Sequence, residues 1–329
     1  MSSPVIDVHT HSWSKVWLEL VRRHGAPRLT VKEVLGGRQA IHQDGAPFNT
    51  LLPEFFDFDA RIKAMNRHGV DICIISLAAP SVYWGTEEVS LKAAQIMNDE
   101  YAQAQQAYPD RIRWYASLPW QFPDKAIPEL ARAVEQGASG VLVLANIADK
   151  SLTDPLFAPI WEAIDARSLP VLVHPTTPPA VAHLDMARYQ LVVPIGFMFD
   201  TTLALGRMIF DGFFERYRKL KIIGAHAGGA LPFLISRFDR CYDMIGPARE
   251  TISVPPSSFM DRLYLDAVVF TPEALAMAVN VVGEGNVMYG SDYPHNIGDM
   301  PGCLARVDAL PGAQKDKVRG RNAERIFNL

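Results

Sequence analysis

The 329-residue chain predicts one (β/α)8 barrel, a TIM barrel, with an insertion between its first strand and first helix. Three observations carry this expectation. Short apolar runs and amphipathic stretches alternate eight times along the chain. The runs are bounded by Gly and Pro and lack an in/out alternation, the pattern of parallel strands covered on both faces. No Gly-X-Gly-X-X-Gly follows a strand, which removes the nucleotide-binding form of the competing doubly wound open sheet. Residues 1–329 are therefore expected to form a single domain.

The elements follow in order. Val5-Ile6-Asp7-Val8-His9-Thr10-His11 is a short buried strand. Residues 12–57 are rich in Gly, Pro, His and mixed charge without a clean apolar period, and are expected to lie as a lid over the C-terminal mouth of the barrel. Ile62 and Met65 give residues 59–68 helical spacing, with Gly69 as C-cap. A strand over 70–77 leads to a helix over 91–108 that Pro109 ends. A strand over 111–118, a helix over 127–136, a strand over 140–144, a helix over 159–167 and a strand over 170–174 come next. After a Pro- and His-containing loop, 175–185, the spacing predicts a helix over 201–214, a strand over 221–226 and a helix over 231–244. The last units are a strand over 262–269, a helix over 272–282 opened by Thr271 and Pro272, a strand over 286–292 and a helix over 314–326.

Composition limits the function classes. A net charge of −4 offers no basic surface for nucleic acid. No run of about eighteen apolar residues suggests a membrane span, and no basic-then-apolar N-terminus suggests a signal peptide. Cys73, Cys241 and Cys303 are scattered without zinc-knuckle spacing, and Cys73 reads as a small buried hydrophobe. A cytoplasmic protein with a small-molecule partner, no nucleic acid and no membrane is expected.

The polar residues at strand C-termini carry the chemistry, because barrel enzymes build their sites there. Residues i and i+2 of a strand share a face, so His9 and His11 converge on one point. His174 ends the fifth strand, His226 the sixth and Asp292 the eighth. Any one of them alone is more often a packed histidine or a capping carboxylate, but five at one end of a barrel are hard to explain as packing. Three imidazoles (His9, His11, His174) and the Asp292 carboxylate suit one divalent metal. Zn²⁺ is the first expectation, with Mn²⁺ or Fe²⁺ as alternatives. His226 is expected further out beside a metal-bound water, and Asp292 is expected to ligate the metal, to shuttle protons, or to do both. The fourth strand, Gly140-Val141-Leu142-Val143-Leu144-Ala145-Asn146, offers neither a carboxylate nor a lysine for a second ion, so a mononuclear site is expected.

His-X-His, His-Pro, His-Ala-Gly-Gly and Gly-Ser-Asp-Tyr-Pro, in that order, resemble the amidohydrolase superfamily, and within it the branch of aminocarboxymuconate-semialdehyde decarboxylase. The resemblance spans essentially the whole chain, including Asp59-Ala-Arg-Ile and Asp266. It implies a metal-dependent, non-oxidative decarboxylase, with His9, His11, His174 and Asp292 as zinc ligands and His226 as the residue that activates the water. It also implies a homodimer in which Arg237 holds a substrate carboxylate in the partner's site. An arginine expected in the insertion is absent from Pro47-Phe48-Asn49-Thr50, and a tryptophan is absent after His174. Both departures argue against a dicarboxylate substrate. The tract from Pro194 to Met208 is similar to a branch acting on uracil-5-carboxylate. Phe48, Trp84, Tyr293 and His295 are expected to line a pocket for a flat aromatic acid. Lactone or amide hydrolysis and hydration are the alternative chemistries.

Overall fold

A computed structural model describes residues 3–34, 36–179, 181–186 and 188–329 of the chain. Leu35 in the insertion and Ala180 in the loop after the fifth strand lie outside the described residues.

Eight parallel strands form one sheet in chain order: β1 (Ile6–His11), β2 (Ile72–Ser76), β3 (Ile112–Ala116), β4 (Gly140–Leu144), β5 (Pro170–His174), β6 (Lys221–Gly224), β7 (Leu263–Asp266) and β8 (Val287–Met288). The protein is a (β/α)8 barrel. Pairs such as Ile6 with Ile72, Leu172 with Ile223 and Leu265 with Val287 fix the register. The ring closes where Val8 N–H donates to Tyr289 O and Asp292 N–H to His9 O, 3.0 and 2.8 Å. Both faces of the strands are buried, which explains their continuous apolar sequences.

Local chemistry sets the helix ends. Asp57 accepts from Ala60 N–H at the start of helix Phe58–His68, and Gly69 ends it in the left-handed region at φ 70. Thr271 caps Pro272–Val282, a contribution of about 1 kcal/mol. Arg61 on the first of these helices is fully buried and explains the Asp59-Ala-Arg-Ile stretch. Its guanidinium donates to Thr10 Oγ1 at 3.0 Å and to the His11 carbonyl, pinning the end of β1.

Several segments differ from the sequence reading. Residues 12–57 hold a helix, Lys15–His24, and an antiparallel sheet of Leu29–Val34, Arg38–Gln43 and Ala46–Thr50. The helical tract before β6 begins at Arg188 and runs to Phe210, bent at Tyr189. By length and composition this tract is apolar enough to cross a membrane, contrary to the expectation that no such stretch exists; Arg188, Asp200 and Arg207 hide it from a search for unbroken apolar runs. Half of its most apolar window is buried. Asp200, on its inner side, accepts from Thr176 N–H and Asn146 Nδ2, tying the tract to the loop after β5. The eighth strand is also shorter than expected, and an unpredicted helix, Met300–Asp308, follows it.

Candidate active site

The histidines converge because each strand end is held from behind. His9 Nδ1 donates to Asp266 Oδ2 at 2.6 Å, and His174 Nδ1 donates to Pro175 O at 2.8 Å. His11 Nδ1 donates to Ser76 Oγ at 3.0 Å, whose own proton goes to Thr10 O. All three rings thus spend the Nδ1 proton on an oxygen and turn Nε2 inward. His9 Nε2 and His11 Nε2 lie 3.1 Å apart, and Asp292 Oδ1 lies 3.4 and 3.0 Å from them. Ligands about 2.1 Å from one ion stand about 3.0–3.4 Å from each other, so this spacing fits a shared cation.

The charge states sharpen that fit. Burial drives His11 down to about 3 and His174 well below the imidazole range, so both are neutral at Nε2. Burial opposes charge on His9 too, but the Asp266 carboxylate outweighs it and raises its pKa. Burial likewise pushes Asp292 up, yet the imidazoles of His295, His11, His226 and His9 around it hold it well below the carboxylate range. A proton on His9 would satisfy one neighbour only, and His174 Nε2 is buried without a partner. Acceptor atoms crowded on one buried point need a positive ion between them. One atom from each of His9, His174, His226 and Asp292 lies within 4.8 Å of the others; His11, Asp292 and His295 form a second such group. A metal site built from His and Asp is present.

The supporting residues are equally ordered. Asp266 accepts from His226 N–H and Ala227 N–H as well as from His9, so one carboxylate orients a candidate ligand and the turn that carries His226. His226, Ala227 and Asp292 sit at φ 53, 53 and 59, in the left-handed region that costs a non-glycine residue about 1–3 kcal/mol. The Asp266 bonds and the Asp292 N–H bond to His9 O maintain those conformations. Asp7, raised to about 7 by burial, accepts from Ser291 Oγ at 2.5 Å and locks β1 to the segment after β8. Gly290 lets the backbone pass beside His9, since a Cβ there would stand 3.0 Å from the His9 Cβ.

The site opens into a cavity of about 1350 Å³. His174, His226, Asp292 and His295 form its floor. Phe48, Asn49 and Thr50 of the insertion and Val192, Val193, Phe197 and Met198 of the helical tract form its upper walls.

The amidohydrolase family model matches residues 6–329. The chain belongs to the amidohydrolase family. The 2-amino-3-carboxymuconate-6-semialdehyde decarboxylase of Dictyostelium discoideum is 31% identical to this amidohydrolase, over 98% of this chain and 91% of its own length. A gamma-resorcylate decarboxylase of Polaromonas sp. is 29% identical, over 82% of this chain and 87% of its own. The structure of 5-carboxyvanillate decarboxylase from Sphingomonas paucimobilis superposes with a TM-score of 0.87 at 26% identity, covering 100% of both chains.

The fold brings His9, His11, His174, His226 and Asp292 together, as the strand-end reading anticipates. His226 stands close in, with Nε2 3.6 Å from Asp292 Oδ2. Arg237 is exposed on the helix Leu231–Met244 and does not line the cavity of its own chain. Of the four expected pocket rings, Phe48 and His295 line the cavity. Trp84 instead borders a separate void of about 30 Å³, and Tyr293 lies under the Arg61 guanidinium, 5.0 Å from its ring centre. The roles that two residues play here go beyond the sequence reading. Asp266 is a lone acid in an apolar strand, and only its family match hinted at a role. His295 was assigned to the walls, yet its N–H donates to Asp292 O across a tight turn, which brings its ring against the ligand cluster.

Proposed function

We propose that this amidohydrolase is a metal-dependent, non-oxidative carboxy-lyase acting on an aromatic, heteroaromatic or unsaturated carboxylic acid. The observation that carries the reading is the convergence of His9, His11 and His174, each ring held from behind at Nδ1, with Asp292 at the base of a largely apolar cavity. These four residues would hold one divalent metal. The mixed nitrogen and oxygen donors and their spacing suit Zn²⁺ first, then Mn²⁺ or Fe²⁺. When bound, the metal supplies the positive charge that polarises a substrate oxygen and stabilises negative charge developing next to it.

The chain's own groups complete the reaction. The bond between ring carbon and carboxylate breaks, CO₂ departs, and the electron pair left on carbon takes a proton. That proton comes from solvent at the cavity mouth and is relayed to carbon by His226 Nε2 and Asp292 Oδ2, which face each other at the cavity floor. Phe48, Phe55 and Phe197 keep bulk water from the reacting carbon. Hydrolysis of a lactone or amide and hydration of a double bond are open to the same donor set, but the relatives described above are decarboxylases.

A homodimer is part of this reading. Arg237 is exposed one helical turn after Phe233, itself 72% exposed at the cavity mouth. That face is suited to a second copy, into whose site Arg237 would bring a guanidinium for the substrate carboxylate. A cytoplasmic location is supported by three unpaired cysteines. CO₂ release from a panel of carboxylated phenols and pyrimidines, measured beside lactone opening, tests the activity. Lactone opening without CO₂ would overturn it. Arg237→Ala is expected to raise KM, and a fully active monomer would refute the shared site.

A further inference from the structure

We infer that the substrate carries a single carboxylate and an extended apolar substituent, accommodated by the walls above the histidines. This rests on the carboxy-lyase reading and adds to it the class of acid.

Size and chemistry of the cavity carry the inference. The cavity of about 1350 Å³ runs from the histidines out to an open mouth at Phe233 and Phe270, so one carboxylated ring held at the floor leaves wall beyond it uncovered. The space above the floor is bounded by Phe48, Met186, Val192, Phe197 and Val269. Phe48 from the insertion and Phe197 from the helical tract meet edge to face, centroids 6.1 Å apart at 82°, and join the two segments into one apolar wall. Met186 and Val269 line the same space and are themselves buried. An alkyl or aryl group is the ligand chemistry that such a wall rewards.

Charge narrows the class further. Among the described residues, the charged side chains lining the cavity apart from the histidines are Asp292 at the floor and Asp44 and Asp185 at the exposed rim; none is Lys or Arg. Arg28, near the rim, faces Asp44 at 4.0 Å, and Arg188 lies over the Tyr189 ring at 4.7 Å. A second carboxylate placed against these walls would lose its water without gaining a cation, and would meet two rim carboxylates on the way in. The positive charge available, from the metal and from Arg237 across the proposed dimer, is committed to the one carboxylate that leaves.

The test uses the metal-loaded enzyme and a series of 2-hydroxybenzoates with hydrogen, methyl, butyl or hexyl at position 4, together with 2-hydroxyterephthalate, which carries a second carboxylate at that position. CO₂ release gives kcat/KM. Calorimetry gives Kd for the matching 3-alkylphenols, which lack the carboxylate. Binding and kcat/KM are expected to improve by up to about fourfold per buried methylene until the wall is filled. The dicarboxylate is expected to fall about 100-fold or more below the methyl compound. Asn49→Arg, which sets a cation into the wall, should narrow that gap to about tenfold.

CO₂ release that is indifferent to chain length, or a dicarboxylate processed as well as the monocarboxylates, would overturn the inference and leave the carboxy-lyase reading in place. Alkylphenols that tighten with chain length while no acid releases CO₂ would refute the carboxy-lyase reading and support the apolar wall.

Discussion

At and beneath the floor of the cavity His174, His9 and His11 are buried, and each has its Nδ1 proton committed to an oxygen of the barrel. On the upper wall Phe48, Asn49 and Thr50 are half-buried and come from a separate three-stranded sheet, while Tyr189 and Gln190 are exposed at the bend of the helical tract. The floor is made by strand ends that cannot move without breaking the barrel. The wall is made by segments added to the barrel, whose side chains can change without unfolding it. Chemistry is thus tied to the core and substrate choice to the additions, the division of labour that lets one barrel serve many substrates.

This contrast can be broken by substitutions whose effects should fall in a set order. His226→Gln removes a proton carrier from the floor; kcat should drop about 10²–10⁴-fold while bound metal, measured by elemental analysis, is unchanged. Equal loss of metal would make His226 a ligand instead. Asp266→Asn touches no substrate, yet it weakens the acceptor behind His9 and the turn of His226. Metal affinity should fall about 10–100-fold, read by competition with a chelating dye. An unchanged affinity would show that β7 does not support the site. On the wall, Phe48→Ala should raise KM about tenfold for a substituted aromatic acid, with kcat held within about twofold. A collapse of kcat there would place the insertion in the chemistry and erase the contrast.

The floor was far more legible in the sequence than the wall. His9 and His11 at i and i+2, and His174, His226 and Asp292 each closing an apolar run, are local signals that survive in a single chain. The barrel was legible for the same reason, since doubly covered parallel strands leave unbroken apolar runs such as Val141 to Leu144. The sheet of the insertion was not. Its strand Leu29–Val34 is mostly half-buried or exposed, and Lys32 and Glu33 blur the alternation of Leu29 and Val31. The early start of the tract at Arg188 was hidden by Pro194 and Gly196, which read as breaks but sit within a continuous helical path. The eighth strand ended early because Tyr289 to Asp292 turn to bond with β1 rather than β7, a choice that Asp7 and Gly290 make in three dimensions. Asp266 and His295 were underread because their roles depend on partners 257 and 3 residues away, the first too distant to see and the second visible only once the turn closes.

The account's central claim is that the crowded Nε2 and Oδ1 atoms are a binding site for one metal that the reaction requires. Chelator-treated protein, verified metal-free, is titrated with Zn²⁺ and separately with Mn²⁺, and CO₂ release is followed with a substituted 2-hydroxybenzoate. The expected result is no release without metal and recovery that plateaus at one equivalent per chain, abolished in His174→Ala. Full CO₂ release from the metal-free protein, or recovery in His174→Ala equal to that of the unsubstituted chain, would contradict it.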